Sequence, residues 1–123
     1  MVPENNAVMI VEDERVSRKA LTELLRGYGY KAKAFASAEE LLADVEQGNE
    51  PKVILADVDL PGMSGLELLS HLERKYPDLY AVLITAADGE TIDNFCKQHP
   101  FDYLPKPLNL GRLLSLLDQP RCH

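Results

Sequence analysis

The 123 residues include only two cysteines, Cys96 and Cys122, far apart and outside any Cys-x-x-Cys spacing. That excludes a disulfide framework and fits a reducing, cytoplasmic setting. Positive charge is scarce as well: 13 Lys plus Arg face 20 Asp plus Glu, for a net charge of -7. A protein that grips a nucleic-acid backbone needs a basic face, so no direct nucleic-acid partner is expected. No apolar run approaches the ~20 residues that span a bilayer, so no membrane partner is expected either. The opening Met-Val-Pro-Glu-Asn-Asn lacks the basic and apolar stretches of a signal peptide. Linkers, low-complexity tracts and internal repeats are missing too. What is there is a globular composition, 46% hydrophobic and 27% charged, at a length that fills one core comfortably. Residues 1–123 are therefore expected to form a single domain. Only residues 118–123 remain after the last helical pattern, so no output domain is expected in this chain.

Strand-like and helix-like segments alternate from end to end. Residues 7–11 form a continuous apolar run, as in a strand buried on both faces. A helical stretch follows, with Val16, Ala20, Leu21, Leu24, Leu25 and Tyr28 on one face and Gly27 and Gly29 closing it. Residues 31–35 alternate polar and apolar, which suits an edge strand with one wet face. Ser37 and Glu40 read as a capping box opening a helix that buries Leu41, Leu42 and Val45. Residues 53–56 make another interior strand, running into Asp57. Ser64 and Glu67 form a second capping box, and Leu66, Leu69 and Leu72 point inward until Tyr76 and Pro77 stop the helix. Residues 80–84 are the third interior strand. Asp88 caps a short helix with Ile92, Phe95 and Cys96 on one side. Residues 102–104 form a brief edge strand before Pro105. The last helix starts near Asn109, with Leu110, Leu113, Leu114 and Leu117 at helical spacing. Five such units predict an α/β, doubly wound, flavodoxin-like fold. Its five-stranded parallel sheet has the order 2-1-3-4-5, with helices on both faces.

An open parallel sheet binds its ligand at the carboxyl ends of its strands, next to the point where strand order reverses. The residues at those ends are Glu12, Asp13, Glu14, Asp57, Thr85 and Lys106. Chosen by place and not by type, they are acids, a hydroxyl and a lysine. Carboxylates in one crevice repel one another unless a cation neutralises them, and a hard oxygen-only donor set with few protein ligands suits Mg²⁺. Asp57 could then stay ionised and act as a nucleophile. Lys106 would offset the charge of an incoming phosphoryl group, and the Thr85 hydroxyl would donate to one of its oxygens. Alone, an acidic loop is a solvated helix start and a threonine ending a strand says little. Joint placement on four strand ends gives the group its meaning.

Several stretches carry a family resemblance. Residues 11–14 (Val-Glu-Asp-Glu), 55–65 (Leu-Ala-Asp-Val-Asp-Leu-Pro-Gly-Met-Ser-Gly), 84–86 (Ile-Thr-Ala) and 102–107 (Asp-Tyr-Leu-Pro-Lys-Pro) resemble the receiver domain of bacterial two-component response regulators. The resemblance spans nearly the whole chain. It implies that Asp57 takes a phosphoryl group from a sensor histidine kinase or histidine phosphotransfer protein, in the cytoplasm. It implies that Asp13, Asp57 and the backbone carbonyl of Asp59 hold Mg²⁺, with Glu12 acting through water. Thr85 and Lys106 would contact the phosphoryl group, Thr85 and the switch aromatic Tyr103 would report its arrival, and the peptide before Pro107 would be cis. The domain would be a signalling switch that catalyses its own phosphoryl transfer and dephosphorylation, and not a metabolic enzyme. A homodimer through the fourth and fifth elements is a further expectation.

The sequence departs from the family pattern at Asp59, a fourth acid near the site, and at Ala87, which offers no side-chain hydrogen bond. It also departs at His99, Pro100 and Phe101, where a small Gly-Ala step is usual. Two rival readings remain. One is a receiver-fold binding module that is never phosphorylated. The other is a haloacid-dehalogenase-type phosphatase, suggested by the Asp57-Val58-Asp59 pair on a strand end. His71, His99 and His123 are scattered without metal-ligand spacing. Cys96 is expected to pack as a small hydrophobe, Leu116 to be a possible exposed contact, and Cys122 and His123 to be a frayed end.

Overall fold

A computed structural model describes residues 7–86 and 90–118. Asp88, Ala87, Cys122 and His123, singled out above, lie outside the described residues. Five parallel strands, β1 (Ala7–Val11), β2 (Lys31–Phe35), β3 (Val53–Asp57), β4 (Tyr80–Thr85) and β5 (Phe101–Pro105), pair in the order β2-β1-β3-β4-β5. They alternate with α1 (Arg15–Gly27), α2 (Ala38–Glu46), α3 (Gly65–Lys75), α4 (Glu90–Lys97) and α5 (Leu110–Leu117). This is the predicted doubly wound sheet. Strand order follows from burial: β3 and β4 are closed on both faces, whereas β2 and β5 alternate and take the edges.

Each face of the sheet has its own core. Residues of α2, α3 and α4, among them Leu41, Leu68, Leu69 and Ile92, pack on Ile54, Ala56, Ala81 and Leu83. Leu25 of α1 and Leu113 and Leu117 of α5 pack on Val8, Ile10, Leu55 and Val82 from the other side. Adjacent strand residues thus divide between the two cores, as the pleat requires. Caps set where the helices begin. Ser37 and Ser64 accept the amides of Glu40 and Glu67, and Asn109 accepts that of Arg112.

Four details differ from the sequence expectation. In α1 only one margin of the apolar face turns inward: Leu25 is buried and Leu21 half-buried, whereas Val16, Leu24 and Tyr28 are 75%, 39% and 50% exposed and Thr22 joins the buried side. The Thr22 hydroxyl is satisfied by the Arg18 carbonyl at 2.6 Å, so a polar residue can occupy the inner face. In α3, Leu68 is fully buried and Leu66 only partly so. Leu42 of α2 is likewise only partly buried, the inner positions going to Ala38, Leu41 and Val45. Leu116 is half-buried against the α1–α5 core and is no exposed contact. Cys96 packs on the other core as expected, and burial pushes its thiol up to about 11.

Candidate functional site

The parallel register brings the strand ends to one edge. Val11 lies opposite Ala56, Asp57 opposite Ile84, and Thr85 opposite Pro105. The last residues of β3 and β4, Asp57 and Thr85, therefore share an edge with the first residues after β1 and β5, Glu12 and Lys106. Beyond the strands the ladder continues for one bond on two sides: Val58 N–H donates to the Ile84 carbonyl at 2.9 Å, and Lys106 N–H to the Thr85 carbonyl at 2.8 Å. These bonds fix the first loop residue after β3 and after β5. The Lys106–Pro107 peptide is cis, as the resemblance implied.

Asp57 is the centre of the site. It is 4% exposed, and a buried carboxylate must be paired. One oxygen, Oδ2, accepts from Lys106 Nζ at 2.6 Å; the other, Oδ1, accepts from the Asp59 N–H at 2.9 Å. Thr85, 1% exposed, ends the neighbouring strand. Carboxylate oxygens of Glu12, Asp13 and Asp57, one from each, lie within 4.8 Å of one another. An all-oxygen set this tight matches a hard divalent cation, and the exposure of Asp13 leaves room for water ligands. The Asp59 carboxylate is outside that cluster; Asp59 approaches Asp57 with its amide.

Electrostatics bear the mark of crowding. Burial and the adjacent Asp57 carboxylate push Glu12 up to about 7, against the opposing pull of Lys106 and the Glu14 amide. The hydrogen bond to Asp57 raises the pKa of Lys106, keeping it an ammonium, although partial burial works the other way. Tyr103, at the edge of the α2–α4 core, directs its hydroxyl to Asp93 of α4 at 3.4 Å, and that carboxylate raises the phenol's pKa.

Two contacts were not anticipated from the sequence. The Arg18 guanidinium, one turn into α1, donates to the main-chain carbonyls of Glu12 and Asp13. The Glu39 carboxylate of α2 accepts the Met63 amide at 3.2 Å, beside Gly62, whose φ of 76° suits glycine. Neither Arg18 nor Glu39 had a signal in the sequence, since their bonds end on main-chain groups. The unusual His99 also finds partners. Its ring stacks on Phe95 at 4.2 Å between centroids and bonds Glu73 of α3.

Known proteins resemble this chain in sequence and fold. The response regulator receiver domain profile matches residues 8–118. The DNA-binding transcriptional regulator NtrC of Klebsiella pneumoniae is 35% identical over 115 residues, covering 93% of this chain and 24% of its own. The response regulator protein FleR of Pseudomonas aeruginosa is 34% identical over 111 residues, covering 89% and 23%. The chain thus spans about a quarter of the length of these curated relatives. Among solved structures, a CheY-like receiver domain protein from Methanospirillum hungatei superposes with a TM-score of 0.81 at 26% identity, covering 91% of this chain and 90% of that one. The response regulator TrrA of Thermotoga maritima, solved with Mg²⁺ and beryllium fluoride, gives 0.78 at 28%, covering 91% and 96%. With the matched profile running from β1 through α5 and the acidic crevice in its place, the chain belongs to the response regulator receiver domain family.

Proposed function

We propose that Asp57 accepts a phosphoryl group from the phosphohistidine of a sensor histidine kinase or histidine phosphotransfer protein in the cytoplasm, and that the domain switches state in response. The observation that carries this reading is a nearly fully buried carboxylate bonded to a lysine at 2.6 Å and backed by two further acids. An Asp57 oxygen attacks phosphorus as the P–N bond to the donor histidine breaks, and the imidazole leaves with the electron pair. Asp13, Asp57 and the Asp59 carbonyl are the residues to hold Mg²⁺, with Glu12 acting through water. When bound, that ion supplies the positive charge that lets carboxylates and phosphoryl oxygens share one crevice. Lys106 moves its hydrogen bond from Asp57 to a phosphoryl oxygen. Thr85 donates its hydroxyl to another, and the Thr85–Tyr103 region reports the change toward α4. Such a domain catalyses its own phosphorylation and the hydrolysis of its own aspartyl phosphate, which returns Asp57 to a carboxylate and releases phosphate, and is a signalling module.

The exposed apolar side of α1 suits the phosphodonor's approach. Ala20, Leu21 and Leu24 line a groove of about 560 Å³ with Ile84, Pro107 and Leu108, and its rim includes Glu12 and Lys106. A protein seated there would present its histidine to Asp57. A homodimer across α4, β5 and α5 belongs to the same reading, β5 being an edge strand.

Intact mass after incubation with Mg²⁺ and a small phosphodonor tests the reading, with Asp57→Asn run alongside. The expected result is a phosphate-sized, base-labile increase that needs both Asp57 and Mg²⁺. An increase that survives Asp57→Asn would overturn the assignment. Absence of both labelling and any response to beryllium fluoride would leave the unphosphorylated binding module as the better account.

A further inference from the structure

Two of the three carboxylates of the acidic crevice, those of Glu12 and Asp13, sit on a loop, residues 12–14, that has left the sheet and not yet entered α1. Among the described residues one strand-type bond, from the Glu12 amide to the Phe35 carbonyl, still ties it to β2. Three acids in succession repel one another, so the loop needs an external restraint. Arg18 meets that need. Its Nη1 donates to the Glu12 carbonyl at 2.9 Å and to the Asp13 carbonyl at 3.3 Å, reaching back six and five residues. Its own backbone is fixed, the amide on the Glu14 carbonyl and the carbonyl on the Thr22 hydroxyl. Thr22 is itself buried against the sheet. Among the described residues the guanidinium pairs with no carboxylate. Although three acids precede it in the chain, it is engaged by main-chain oxygens.

The geometry points to Arg18 as the positioning residue of the metal cradle: by holding two successive carbonyls it sets the peptide planes that aim the Glu12 and Asp13 side chains at Asp57. This rests on the reading that the crevice takes a divalent cation. Held carbonyls fix the Cα–Cβ directions of the residues that carry them, and outer groups that orient metal ligands commonly govern metal affinity. Charge alone predicts the reverse effect. A guanidinium near the crevice opposes an incoming cation, so its removal would tighten binding if nothing but charge mattered. The sign of the change therefore separates positioning from electrostatics.

The test is calorimetric titration of the unphosphorylated full chain with Mg²⁺, for wild type, Arg18→Met and Arg18→Lys. Methionine keeps much of the apolar stem and removes the donors; lysine restores donors and charge. The expected result is a Kd about ten-fold higher for Arg18→Met, with most of the loss recovered by Arg18→Lys. Without Mg²⁺, amide hydrogen exchange should quicken at residues 13 and 14 in Arg18→Met while amides of β1 and β3 keep their protection. A Kd unchanged or lowered in Arg18→Met would overturn the proposal. So would a loss accompanied by collapsed protection across the sheet and no rescue by lysine, since that marks a general structural role. Wild type failing to take up Mg²⁺ would overturn the reading beneath it as well. That outcome is told apart by appearing before any substitution is made.

Discussion

Gly65 begins α3 directly against the end of β3, and Gly65→Ala gives a direct test of how that strand end is built. A Cβ added there would lie 2.6 Å from the Asp57 carbonyl oxygen and 3.3 Å from both the Asp57 carbonyl carbon and Val58 Cα. Carbon–oxygen contacts close at about 3.3 Å, so either the first turn of α3 or the Asp57 peptide must give by roughly 0.7 Å. All three atoms are main chain, and none can rotate away. Forcing such a shift in a packed interior costs about 1–3 kcal/mol. Alanine recovers up to ~1 kcal/mol through helix propensity and a less flexible unfolded chain. The difference spans about 0–3 kcal/mol and centres on a loss of about 1–2 kcal/mol, or a fall in Tm of roughly 4–10 °C. Urea unfolding followed by circular dichroism measures it. Because the displaced carbonyl belongs to Asp57, its carboxylate should also lose register with Lys106, and labelling by a small phosphodonor should slow by roughly ten-fold or more. An alanine variant as stable as wild type, and labelled as fast, would refute the claim that glycine is there for close approach.

Two further predictions concern charge. Glu12 holds its proton up to about 7 in the folded chain, whereas the unfolded side chain releases it near 4.5. Between these values the folded state binds the extra proton, so stability of the metal-free protein should fall as pH rises from about 4.5 to 7 and level off above that. A cation competes with the same proton, so apparent Mg²⁺ affinity should weaken about ten-fold from pH 8 to pH 6. Glu12→Gln should flatten both dependences, and a wild-type profile already flat would discard the crowding argument. The second prediction concerns the far end of α4. His99→Ala removes the stack on Phe95 and the bond to Glu73, and should destabilise by about 1–3 kcal/mol. A double-mutant cycle with Glu73→Ala should return a coupling of about 1 kcal/mol, and a coupling of zero would show the pair to be incidental.

The order of the sheet was legible because each strand's burial is written in its residues. The unbroken apolar runs of β3 and β4 can only be interior, and the alternation of β2 can only face water on one side. Caps were legible for a similar reason: Ser37, Ser64 and Asn109 act on amides three residues ahead, within reach of local inspection. The inner face of α1 was not. Its apolar residues span half the helix circumference, more than one sheet can cover, so hydrophobicity could not say which half turns inward. The structure buries the side with Leu25 and Thr22 and leaves Val16, Leu24 and Tyr28 outside. Apolar residues on the outer side are what a partner-binding helix needs, and a core-seeking pattern misreads them as core.

A similar division runs through the site. Glu12, Asp13, Asp57, Thr85 and Lys106 could be named because topology delivers every strand end to one edge, and the residue's place in the chain then gives its place in space. Arg18 and Glu39 could not, since their partners are main-chain groups of other segments: the carbonyls of Glu12 and Asp13, and the amide of Met63. Backbone groups look alike in every sequence, and their directions exist only after the loops have folded. The acids determine what the crevice can bind, but their mutual repulsion works against the very geometry that binding requires. Residues that bond the backbone behind the acids can oppose that repulsion without entering the crevice. The shape of such a crevice can therefore depend on groups that never face it.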